Sequence, residues 1–67
     1  MTKVTVNGKP RAVTRARNVS ELIDELKLVP ATLLIEHNGT ALHRSEWSSR
    51  SLKEGDQIEL VRVVAGG

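Results

Sequence analysis

Cysteine, phenylalanine and tyrosine are absent from the chain, and Trp47 is its one tryptophan. Without thiols there is no disulfide staple, no thiolate metal site and no sulfur nucleophile on a side chain. Without a set of aromatic rings there is no platform for stacking bases, so nucleic acid is not an expected partner. That holds although Lys3, Lys9, Arg11, Arg15 and Arg17 precede the first acid, Glu21, and the remainder carries a net −3; a solvated basic hairpin accounts for the asymmetry. Apolar runs are far too short to span a bilayer and no cleavable leader is read, so a cytoplasmic setting with no membrane partner is expected. Serines are plentiful, but none lies in a Gly-x-Ser-x-Gly turn, and no glycine loop is built to cradle phosphate. By elimination the expected class is a carrier, substrate or binding module that binds no cofactor, rather than an enzyme.

What is present reads as one small domain, and 67 residues bury only about 60% of the surface their unfolded chain exposes. Val4 to Val6 and Lys9 to Thr14 are extended runs joined by Asn7-Gly8, a pair suited to a type I′ turn because both central positions need positive φ. Pro10 donates no ladder hydrogen bond and belongs beside the turn or on an edge. Asn18 precedes Val19, Leu22, Ile23 and Leu26 at helical spacing, with Glu21 placed to reach back as a capping acid. Ser20, Asp24, Glu25 and Lys27 fall on the wetter side of that helix, and Pro30 is expected to stop it.

Thr32 to His37 is a further strand, and the unbroken Leu33-Leu34-Ile35 predicts burial on both faces. Asn38-Gly39 turns the chain back through Thr40 to His43. Trp47 is expected to seal one end of a thin core. After a turn at Leu52 to Asp56, Gln57 to Val64 is the last strand, half buried through Ile58 and Leu60. Its wet face then turns apolar at Val61 and Val63, which reads either as a docking patch beside the tail or as a strand buried on both sides near its end. The order is strand, strand, helix, strand, short strand, strand, and it predicts an α+β layer fold: a mixed sheet of four to five strands with one main helix on one face.

The chain closes on Val64, Ala65, Gly66 and Gly67. A diglycine is slim enough to thread a narrow slot, and the same pattern suits a frayed terminus. Val64 to Gly67, fully extended, would carry the carboxylate roughly 13 Å beyond the domain. Its anion is a reagent of a kind: it can attack the α-phosphate of ATP, and a sulfur nucleophile can displace AMP from the acyl adenylate. His37 and His43 flank the second turn, but Glu36 faces the other way and no third ligand is evident, so no metal is expected.

Several segments, taken in order, carry a family resemblance: Val6-Asn7-Gly8, the capped helix with Glu21-Leu22, His37-Asn38-Gly39, Arg44-Ser45-Glu46-Trp47, Leu52, Glu54-Gly55-Asp56, Ile58-Glu59-Leu60 and Val63-Val64-Ala65-Gly66-Gly67. In these the chain resembles the ThiS family of sulfur carriers, within the ubiquitin-like β-grasp superfamily. One departure is Leu42-His43, where that family commonly has a Val-Pro type pair. The resemblance implies a β-grasp domain over residues 1–64 with a flexible tail over 65–67. It implies that an E1-like (ThiF-like) enzyme uses ATP to adenylate Gly67, and that sulfur mobilised from cysteine by a desulfurase makes a thiocarboxylate there. A ThiG-like thiazole synthase then consumes the sulfur for thiamine. Gly66 and Ala65 would give access, with Val61, Val63 and Val64 against the partner. Carriage for molybdopterin or a sulfur amino acid, a protein modifier joined through Gly67, and a plain binding domain are the alternatives.

Overall fold

A computed structural model describes residues 1–63. Five strands form one sheet in the order β2-β1-β5-β3-β4: β1 is Thr2–Val6, β2 Lys9–Val13, β3 Leu33–His37, β4 Thr40–Leu42 and β5 Gln57–Arg62. β5 runs parallel to β1 and antiparallel to β3, so the last strand lies at the centre. Among the described residues a single α-helix, α1 (Val19–Glu25), covers one face, and 3-10 turns occupy Pro30–Thr32 and Arg44–Ser49. This is the expected α+β mixed sheet with one main helix.

Both hairpins turn through Asn-Gly pairs at positive φ, 51° and 81° at Asn7-Gly8 and 51° and 85° at Asn38-Gly39. The asparagines do more than turn. The Asn7 Oδ1 accepts from the Leu60 N–H at 2.7 Å, and the Asn38 Oδ1 from the Gln57 N–H at 2.8 Å. Their own N–H groups donate to the Ile58 and Gln57 carbonyls. Each hairpin thereby grips the central strand. Pro10 sits on the edge strand β2, opposite Thr5, where its missing N–H costs no ladder bond.

Val4, Val13, Val19, Leu22, Ile23, Leu33, Ile35, Leu42, Trp47 and Ile58 form the core between sheet and helix. Trp47 closes one end, as its solitary bulk suggests; Arg44 lies over its ring at 5.9 Å, while its indole N–H is buried without a hydrogen-bond partner. Asn18 caps α1 through the Glu21 N–H at 2.8 Å. Glu21 returns the bond to the Arg17 N–H at 2.7 Å, one residue earlier than a capping box places it.

Three expectations are corrected. The helix is ended by its own backbone rather than by Pro30: Lys27 takes φ 58°, its N–H reaches the Asp24 carbonyl and that of Leu28 reaches Ile23, a Schellman closure. Pro30 instead opens the following 3-10 turn. Glu25 is not simply on a wet face: its carboxylate accepts from the Thr14, Arg15 and Ala16 N–H groups, each at 3.0 Å, and binds the loop that feeds the helix. β3 is not buried on both sides; it alternates, with Leu33, Ile35 and His37 inside and Leu34 and Glu36 outside. A two-layer domain has only one helix to give, so the far face of the sheet stays open.

Candidate functional site

The residues singled out at the chain end divide at position 63. Val64, Ala65, Gly66 and Gly67 lie outside the described residues; Val61 and Val63 lie within them. Val61 is 57% and Val63 46% exposed, both large for apolar side chains. Of the two readings of that strand end, the open patch is the one observed. Alternation along β5 places Gln57, Glu59 and Val61 on the open face while Ile58 is fully buried beneath. Val63 follows β5, and its N–H donates to the Thr32 carbonyl at 2.7 Å, which pins the root of the tail to the 3-10 turn before β3.

A residue the sequence reading placed inside the sheet joins this patch. Leu34 is 59% exposed and directly opposite Val61 in the β3–β5 register. The next pair on the same face is Glu36 opposite Glu59. The open face therefore runs, toward the chain end, from two carboxylates through two aliphatic side chains to Val63. The signal that could have found Leu34 was its parity with Glu36, two residues on: one face of a strand that carries a glutamate is an improbable core face.

The opposite end of the sheet holds a buried polar cluster. The His37 Nε2–H donates to Asp56 Oδ2 at 2.8 Å, leaving Nδ1 to accept from the Arg50 Nε–H at 3.3 Å. Asp56 also accepts from the Asn38 amide at 3.1 Å and the Lys53 N–H at 2.9 Å. Burial opposes its ionisation, but the bonds from His37, Asn38 and Lys53 and the nearby imidazole outweigh it and hold the carboxyl below the ordinary range. This cluster ties the second hairpin to the start of β5. His43 works elsewhere, its N–H bound to Glu46 Oε1 at 2.8 Å at the head of the second 3-10 turn. Among the described residues no three His, Asp or Glu side chains are grouped to hold a metal ion, and no helix is long and apolar enough to cross a membrane.

A mixed sheet with its last strand at the centre, one helix on one face and an apolar patch on the other is the layout of a ubiquitin-like β-grasp domain. Comparison with known proteins narrows the class. The model of the ThiS family matches residues 4–67, and the chain belongs to the ThiS family. The sulfur carrier protein ThiS of Escherichia coli K12 is 28% identical over 97% of this chain and 98% of that protein. The crystal structure of the thiamine biosynthesis protein ThiS from Geobacter metallireducens superposes with a TM-score of 0.81, at 38% identity over 98% of this chain and 100% of that one. A thiazole synthase of Magnetococcus marinus is 29% identical over 97% of this chain, which spans 20% of that protein's length. A thiazole synthase of Paramagnetospirillum magneticum is 26% identical over the same shares of each.

Proposed function

We infer that the protein carries sulfur as a thiocarboxylate on Gly67 and delivers it to thiazole formation in thiamine biosynthesis. The observation that carries this reading is the exposed Val61 on the central strand, with Leu34 beside it and Val63 after it, in a cysteine-free chain that closes on two glycines. In the first step the Gly67 carboxylate attacks the α-phosphorus of ATP and expels pyrophosphate, giving an acyl adenylate. In the second a nucleophile at the sulfide level adds to the acyl carbon and AMP leaves, so a C–S bond replaces a C–O bond. The chain supplies only the acyl group. An E1-like enzyme of the ThiF kind performs both steps on a surface that receives Val61, Val63 and Val64, and Gly66 and Ala65 enter its slot. The sulfur originates in cysteine through a desulfurase in the cytosol, which yields persulfide sulfur. A thiol reductant brings that sulfur to the sulfide level as its own thiols go to a disulfide, and a thiazole synthase of the ThiG kind removes it from the carrier. The name of the Escherichia coli relative supports carriage of sulfur, and the names of the two thiazole synthases support its destination.

Intact mass spectrometry tests the chemistry. Incubated with ATP, the adenylating enzyme and a sulfur source, the protein is expected to gain the mass of one oxygen-to-sulfur exchange, located at Gly67. An adenylate that forms and never exchanges would sink the carrier reading. Growth of a deletion strain without thiamine would remove the thiazole assignment while leaving the chemistry intact.

A further inference from the structure

On the open face Glu36 and Glu59 stand directly opposite each other on adjacent strands, a position that sets Cβ atoms about 4.5–5.5 Å apart and makes like charges destabilising. Neither makes an ion pair among the described residues. Ala41 flanks Glu36 across β4, and Leu34 and Val61 follow along the two strands. Lys3, the cation that β1 places on this face, belongs to the far end, where its backbone bonds Gly55 and the Glu54 carboxylate. The fold thus holds two adjacent, uncompensated carboxylates next to an apolar pair, on the strand that leads to the chain end.

We propose that this face docks the thiazole synthase through an apolar surface bearing one arginine, whose guanidinium bridges Glu36 and Glu59 while the apolar surface covers Leu34 and Val61. This rests on the carrier reading above. Charge complementarity selects the occupant. A second copy laid face to face adds two more carboxylates and, as its cation on this face, Lys3, held at the far end beside Gly55 and Glu54, whereas a planar guanidinium presents a fork of donors that two neighbouring carboxylates can share. Two residues along a strand span about 7 Å, so the arginine stands that far from the apolar contact, on the side away from the tail. The polarity sets orientation: docked the other way round, the arginine meets Val63 and the carboxylates meet apolar surface. The synthase is the partner because a segment like this chain shares one polypeptide with thiazole synthases in two organisms.

The test is calorimetric binding of the intact protein to a thiazole synthase at low and moderate salt, with thermal melts of each variant. Glu36→Gln and Glu59→Gln are each expected to weaken binding about fivefold and to flatten its salt dependence, while raising the melting temperature because a repulsion is relieved. Affinity that is unchanged in both variants, or melting temperatures that fall, would overturn the proposal. So would a loss confined to the adenylating enzyme, or a wild-type dimer that the substitutions dissociate. Unchanged affinity in both glutamine variants overturns it even where Val61→Asp abolishes binding, because the contact would then be apolar alone and the bridging arginine would be excluded. If wild type neither binds the synthase nor acquires sulfur, the carrier reading falls with it.

Discussion

At Glu25 one half-buried carboxylate accepts three backbone N–H groups and the Thr14 hydroxyl. The bonds from Thr14 and Arg15, with those from Ala16 and the hydroxyl, outweigh local desolvation and pull its pKa from 4.5 down to about 2. A carboxyl whose folded pKa is depressed contributes stability that is present above the unfolded value and lost as pH falls through the folded one. The contribution is therefore full above about pH 4.5 and fades toward about pH 2. Melting curves of wild type and Glu25→Gln should lie well apart at pH 6 and converge across that window. A gap that ignores pH would mean that shape, not charge, holds the loop from Thr14 to Ala16. Periodicity could place Glu25 on a helix but not reveal that the preceding loop wraps back over it, because that closure is a tertiary event.

Among the elements, β5 lies at the centre of the sheet and receives help from both turns. Asn7 is legible from sequence as a turn residue, since Asn-Gly between extended runs has one common use. That its side chain also extends the grip of β1 on β5 is not legible, because nothing local shows which strand lies alongside. Asn7→Gly keeps the positive φ and deletes the 2.7 Å bond to Leu60. It should cost about 1 kcal/mol, a fall of roughly 4–8 °C in melting temperature for a domain of this size. A variant as stable as wild type would show that the turn, not the side chain, is what matters. Leu34 teaches the complementary lesson: three consecutive aliphatic residues suggest a strand buried twice, but how many layers cover a sheet is a property of the whole chain. The Schellman closure at Lys27 escaped for a related reason, since a lysine at positive φ carries no mark that distinguishes it from any other surface lysine.

For the molecule as a whole, the packed core and the proposed docking patch occupy opposite faces of one sheet. The core lies on the helix side, and the patch of Leu34, Val61 and Val63 lies on the other or just beyond it. Val61→Asp should leave the circular dichroism spectrum unchanged and slow thiocarboxylate formation about tenfold or more, as loss of a central apolar contact does at other interfaces. Unfolding of that variant would return Val61 to the core. The order of elements, both hairpins and the capped helix were readable from residue types. The strand order was not, because placing the last strand between the first and the third is decided by long-range pairing.

That central placement also has a mechanical side. A partner that draws the chain end into a slot pulls along β5, and β5 is laced on one edge to β1 and on the other to β3, with Asn7 and Asn38 adding side-chain ties. Tension along the strand loads those bonds side by side in shear instead of peeling them one at a time. Bonds loaded in shear resist unravelling, so a pull on the chain end would move the domain as a body before it unfolded it.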